Sequence, residues 1–254
     1  MDLFVKKRAR ETFSISEEVN FIELEGFNGS ITWLPVDAEG PRVVAEKEVR
    51  GLSSSVVDEV LDGLRVESTI SQGRMVLRAD MPIRPLSLVT AQISFKLYAL
   101  PRQIREFRAR TRNGSISLGV DFQGQLELRT ANGRVELQSG EGQVNLATSN
   151  GRISFGKLVL QGSSSAQTSN GRIEGQAVFA AAGNYLFETS NGAIELRIPH
   201  DTPGTFNLTT SNGKVSFGVG DSQVAGGKRA VIERGQGPNV RIATSNGNIS
   251  VIGY

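Results

Sequence analysis

The chain has 254 residues, 38% hydrophobic and 21% charged, with a formal net charge of +2. That composition supports a folded core and excludes a disordered chain, and the charge is too small by itself to imply a nucleic-acid partner. There is no cysteine and one histidine, His200, so disulfides, thiolate metal sites, a cysteine nucleophile and a multi-histidine metal centre are excluded.

Residues 1–12 are polar and carry Lys6, Lys7, Arg8 and Arg10. No apolar stretch follows them, so they do not read as a signal peptide, and a disordered basic terminus is expected. No run approaches 18 apolar residues, so no transmembrane helix is expected. A cytoplasmic location is the default expectation, with envelope association left open.

The stretch 13–105 reads as a β-rich capping part. Ile22, Leu24, Ile31 and Trp33 alternate around Asn28-Gly29, a strand–turn–strand signal. Residues 35–41 read as a loop and 42–49 as a strand. A short helix is expected over 53–64, because Val56, Val57, Val60, Leu61 and Leu64 share one face. Ser55 with Asp58 resembles a capping box, and Gly63 is a stop signal. The segments 65–71 and 74–80 alternate around Gln72-Gly73 as a hairpin. Pro82 and Pro85 then break the chain. Over 91–99, Ile93, Phe95 and Leu97 fall on one face, and Leu100-Pro101 ends that strand.

From 106 to 254 the chain is periodic. Thr-Ser-Asn-Gly stands at 148–151, 168–171, 189–192, 210–213 and 244–247, with looser copies at 111–114 and 130–133. The asparagines Asn113, Asn132, Asn150, Asn170, Asn191, Asn212 and Asn246 are spaced 19, 18, 20, 21, 21 and 34 apart. Near-constant spacing with one insertion marks stacked repeats, and the insertion near 218–238 is expected to be a surface loop or flap. Three residues after each Asn stands a β-branched aliphatic: Ile116, Val135, Ile153, Ile173, Ile194, Val215 and Ile249. Two residues before it stands Thr. Each arm is thus a strand with one buried face.

Two architectures fit: a meander of Asn-Gly hairpins, or a solenoid in which Asn-Gly marks a corner. The shared threonine favours the solenoid, because stacked neighbours place identical residues in ladders. The structural corner ladder comprises Thr148, Asn150 and Gly151, then Thr168, Asn170 and Gly171, Thr189, Asn191 and Gly192, Thr210, Asn212 and Gly213, and Thr244, Asn246 and Gly247. The expected fold is all-β: a single-stranded β-solenoid (β-helix) of about 20-residue coils, with an N-terminal cap carrying one helix.

These Thr-Ser-Asn-Gly units, three of them followed by Arg or Ala and then Ile and one by Lys and then Val, resemble the bacterial "putative adhesin" β-strand-repeat family, a domain of unknown function. The resemblance spans about 12–252 and is strongest from Arg110 onward. It implies a β-solenoid and no known activity, and it carries no catalytic residues.

One exposed column is a candidate site. Two residues after successive asparagines stand Arg134, Arg152 and Arg172, then Lys214 beyond a gap at Ala193. Stacked cations could follow an anionic polymer, whereas Glu136, Glu174 and Glu195 beside them point to a solvated face. His200 sits in a Pro-flanked loop and Ser163, Ser164 and Ser165 lack a nucleophile elbow, so no triad is read. The acids are spread too thinly for a glycosidase pair. Trp33 and Tyr254 are isolated aromatics and offer no stacking platform.

The expected function is a non-catalytic structural or adhesin-like scaffold without cofactor or metal. The alternatives are acidic-glycan binding through the Arg/Lys column and, less favoured, polysaccharide cleavage. The expected partner modes are self-association through the C-terminal coil, left open by the chain's end at Tyr254, and an anionic polysaccharide or protein.

Overall fold

The computed structural model describes residues 4–81 and 88–254. The expected chain break at Pro82 and Pro85 lies outside them. Among the described residues the architecture is nearly all-β with one helix, an open arrangement consistent with a β-solenoid.

The N-terminal part contains β1 (Val5–Ser14), β2 (Phe21–Glu25), β3 (Ile31–Leu34), β4 (Arg42–Gly51), α1 (Ser54–Gly63), β5 (Arg65–Ser71), β6 (Arg74–Asp80) and β7 (Thr90–Tyr98). The expectation of a disordered terminus over 1–12 is corrected from Val5 onward by β1, which pairs antiparallel with β4 over its whole length, while residues 1–3 lie outside the described residues. Its basic side chains are held: Lys6 and Arg8 pair with Glu48, and Lys7 donates to Asp58. An edge strand carrying charge resists pairing with other chains, so its composition imitates disorder.

Helix α1 packs on β1 and β4 through buried Val57 and Val60. Its N-cap is Ser53, with no side-chain cap bond, so the capping box expected at Ser55 and Asp58 is not formed. Asp58 faces Lys7 instead. Buried Lys47 reaches the helix end, donating to the Leu64 carbonyl at 2.5 Å and to Glu11. The hairpin of β5 and β6 turns at Gln72 (φ 49) and Gly73 (φ 73). Positive φ at both central residues is what a type I′ turn requires.

The repeats supply β8 (Glu106–Asn113), β9 (Ile116–Asn132), β10 (Val135–Asn150), β11 (Ile153–Asn170), β12 (Ile173–Asn191) and β13 (Ile194–Ile198). Then follow β14 (Gly204–Asn212), β15 (Val215–Val219), β16 (Ser222–Ala225), β17 (Arg229–Arg234), β18 (Asn239–Asn246) and β19 (Ile249–Gly253). Successive repeats lie parallel and in matched register, for example Asn132↔Asn150 and Asn150↔Asn170. The arms therefore stack as layers, and the hairpin meander is excluded. The inward aliphatics three residues after each Asn are buried in all seven repeats.

The order of layers departs from the order of sequence. Strand β18 pairs parallel with both β12 and β14, and β19 pairs with both β13 and β15. The last layer of the chain is thus intercalated between the two that precede it. This corrects the expectation of an open C-terminal coil, whose arms have neighbours on both sides. The outermost layer is β14 with β15. The insertion expected as a loop or flap covers it: β17 pairs antiparallel with β14, and β16 with β15. Antiparallel strands cap both ends of the stack, since β1, β4 and β5 play the same part at the other end.

The aromatics expected to be isolated are not all so. Trp33 is fully buried, edge-on to Phe107 at 5.0 Å and Phe122 at 5.7 Å, and its indole donates to the Ala99 carbonyl at 3.0 Å.

Candidate functional site

Each corner is built from the same four atoms of chemistry. The Asn side-chain amide donates to the Asn carboxamide oxygen of the adjacent layer. This ladder runs Asn28, Asn113, Asn132, Asn150, Asn170, Asn191, Asn246, Asn212, with donor–acceptor distances from 2.7 to 2.9 Å. The Thr hydroxyl donates to a Gly carbonyl of the adjacent layer, as in Thr148 to Gly133, Thr168 to Gly151 and Thr189 to Gly171. Thr210 reaches Gly247 and Thr244 reaches Gly192. All seven threonines are buried.

Glycine is needed at the corner for space. A Cβ at Gly151, Gly171 or Gly213 would lie 1.9 Å from the carbonyl oxygen of the neighbouring layer's glycine. The corner asparagines do not have positive φ, so the corner depends on close approach of glycine backbones and not on left-handed asparagine. Asn28 is a rung that the repeat count missed. Its signal was present in Asn28-Gly29-x-Ile31, but Gly26 stands where the other copies have Thr.

The basic column lies on the exposed face beside this corner. Register brings Arg134, Arg152 and Arg172 onto three adjacent layers. Lys214 is farther off than the sequence implied, because both the Ala193 and the Asn248 layers intervene. Each arginine meets a carboxylate: Arg134 pairs with Glu136 at 3.4 Å, Arg152 with Glu174 at 3.2 Å, and Arg172 with Glu174 at 3.4 Å and Glu195 at 3.8 Å.

A denser charged cluster, unmarked in the sequence, covers the outer face of β2, β8 and β9. Glu127 is ringed by Arg108, Arg110 and Arg129. Burial pushes its carboxyl up, but the hydrogen bond from Arg110 and the surrounding guanidiniums hold it below the usual range. Glu23 shifts the other way. Burial and the neighbouring Glu25 carboxylate raise it against the pull of Arg110 and Arg108.

The other candidate groups serve the fold. His200 Nδ1 accepts from the Gly220 amide at 3.3 Å, and the His200 carbonyl accepts from Arg234 at 2.7 Å. Arg234 also donates to the Thr202 and Val219 carbonyls, pinning the C-terminal cap. Ser164 donates to the Gln161 carbonyl, and Ser165 to Asn145. Among the described residues no acidic or histidine cluster has metal-binding geometry, and no helix is long and apolar enough to cross a membrane.

Several solved structures resemble the chain in overall course. A Bacteroides fragilis protein described as a putative adhesin is 11% identical, with 97% of each chain covered and a TM-score of 0.45. A putative adhesin from Parabacteroides distasonis is 12% identical, with 97% of each chain covered and a TM-score of 0.44. From the same species, a protein described as a putative lipid binding protein is 12% identical over 95% of this chain and 96% of its own, with a TM-score of 0.42. No curated protein matches the chain. The family expected from the sequence is borne out by the family model alone: the chain belongs to the Toastrack DUF4097 family, whose model matches residues 85–252.

Proposed function

We propose that the protein is a non-catalytic β-solenoid, with coils of about 20 residues, that acts as a rigid adhesin-like scaffold and binds a partner or polymer on its exposed strand faces. The observation that carries this reading is the corner ladder. The side chains of the repeated motif are consumed by bonds between layers, Asn to Asn and Thr to Gly. Function therefore falls on the exposed variable positions, which the stack holds at fixed spacing.

A second reading places an acidic polymer on Arg134, Arg152 and Arg172, with Lys214 as an outlying contact. Their placement on adjacent layers favours it. Their pairing with Glu136, Glu174 and Glu195 weighs against it, since a polymer must displace those carboxylates.

One experiment separates these readings. The protein is incubated with a panel of neutral and acidic polysaccharides, and both retention in affinity electrophoresis and release of reducing ends are measured. The scaffold reading expects retention on at least one polymer without release. Release that grows with protein concentration overturns it, and so does the absence of retention throughout. Retention that is lost when the three column arginines become Ser moves the binding to that column.

A further inference from the structure

The intercalated layer brings together four strands in an order that departs from that of the sequence. On the outer face, β12, β18, β14 and β17 lie side by side, with Thr189↔Thr244, Thr210↔Thr244, Asn207↔Arg241 and Thr209↔Arg229 in register. One row across them therefore reads Glu188, Ala243, Thr209, Arg229. Two long side chains stand three strand spacings apart, about 14 Å. Between them the floor is only a methyl group and a threonine. Arg241 rises from the next row. The result is a cleft of about 570 Å³, in the size range of small-ligand sites, with Ser190 and Ser245 on its corner side.

The charge of this cleft differs from that of the basic column. Among the described residues, neither Arg229 nor Arg241 makes a side-chain hydrogen bond or ion pair, whereas Arg134, Arg152 and Arg172 each do. The one carboxylate lining the cleft, Glu188, accepts from Gln167 at 3.3 Å. Two guanidinium forks thus face a hollow with hydroxyl and amide groups from Thr209, Ser190, Ser245 and Asn207. A guanidinium matches a carboxylate in geometry, and hydroxyl and amide groups match sugar hydroxyls.

The geometry points to a binding site for a carboxylate-bearing saccharide, about one or two sugar units long, held by Arg229 and Arg241 over the Ala243–Thr209 floor. The carboxylate takes a guanidinium fork. The sugar ring lies over Ala243, and its hydroxyls donate to Glu188 and exchange hydrogen bonds with Asn207 and Thr209. This site goes beyond the scaffold reading and stands without it.

The test is calorimetric titration of the full chain with digalacturonate, with maltose and inorganic phosphate as separate arms. Saturable digalacturonate binding is expected, with maltose inert and phosphate weaker. Arg241→Gln and Arg229→Gln are each expected to weaken binding about tenfold. Ala243→Leu fills the floor without changing charge and is expected to abolish binding. The triple column variant Arg134→Gln, Arg152→Gln, Arg172→Gln is expected to bind as the parent does. Circular dichroism checks that each variant is folded. The proposal is overturned if digalacturonate does not saturate by about 20 mM, if maltose binds equally, or if phosphate binds more tightly. It is also overturned if folded cleft variants bind unchanged, or if only the column variant loses binding.

Discussion

The Asn-Gly corner and the glycines farther along the repeats, Gly124, Gly142, Gly162 and Gly183, are built on different terms. At the Asn-Gly corner the seven repeats carry the same Thr, Asn and Gly, and backbone approaches backbone so closely that a Cβ at Gly171 would stand 1.9 Å from the Gly151 oxygen. Farther along the repeat the environment is not uniform: a Cβ would meet a neighbouring carbonyl oxygen at 2.1 Å at Gly124 and at 2.4 Å at Gly183. Gly162 has φ +60 and open space where a Cβ would go, while a Cβ at Gly142 would meet the Gly124 oxygen at 1.9 Å. The register shifts between β9, β10, β11 and β12 all lie away from the Asn-Gly corner, at Leu137/Ser139, Gly142/Asn145, Phe155/Lys157 and Leu160/Gly162. The Asn-Gly corner fixes the register of the stack, and the rest of the repeat absorbs the variation in repeat length.

Three substitutions would break or sharpen that contrast. Gly171→Ala is expected to cost the most, about 3 kcal/mol or more, because backbone must move in two layers. Gly162→Ala faces only its φ and is expected to cost about 1 kcal/mol. Equal losses in denaturant titrations would abolish the distinction between the two regions. Next in size, Thr189→Val keeps the buried shape but removes the bond to the Gly171 carbonyl, for an expected loss of about 1 kcal/mol. Wild-type stability in that variant would mean the threonine ladder is incidental.

The smallest effect is expected away from both regions, at Glu23. Its carboxyl is raised in the folded protein, so its favourable contribution is present below the unfolded value and lost as pH rises through the folded one. At neutral pH the ionised group is a cost. Glu23→Gln should therefore raise the melting temperature by about 2 °C at pH 7, and the gain should fade on acidification. A destabilised variant at pH 7 would show that the attraction of Arg108 and Arg110 outweighs burial.

The sequence announces the local chemistry of this fold far better than its long-range order. Gln72-Gly73 marks its hairpin, the aliphatics three residues after each Asn mark the core, and the Asn and Thr columns form the ladders expected of stacked repeats. The order of layers was not legible, because a corner shared by every repeat lets any layer sit against any other. The strands β16 and β17 were hidden for a related reason: they pair antiparallel with an edge that exists only once β18 and β19 have gone inside. Arg229 and Arg241 come together through β14, to which their own spacing gives no clue. The column of Arg134, Arg152 and Arg172 was visible, but its glutamates come partly from other layers.

The intercalated layer also sets a timetable. Residues 204–219 are synthesised before residues 239–253 and yet finish outside them. Until the later segment arrives, the earlier one either waits without its parallel neighbour or rests against β12 and β13 in the register that the common corner allows. In the second case it must let go before the chain can close. The later segment is the keystone: the final neighbours of β14 and β15 exist only once β18 and β19 are in place between them and β12 and β13.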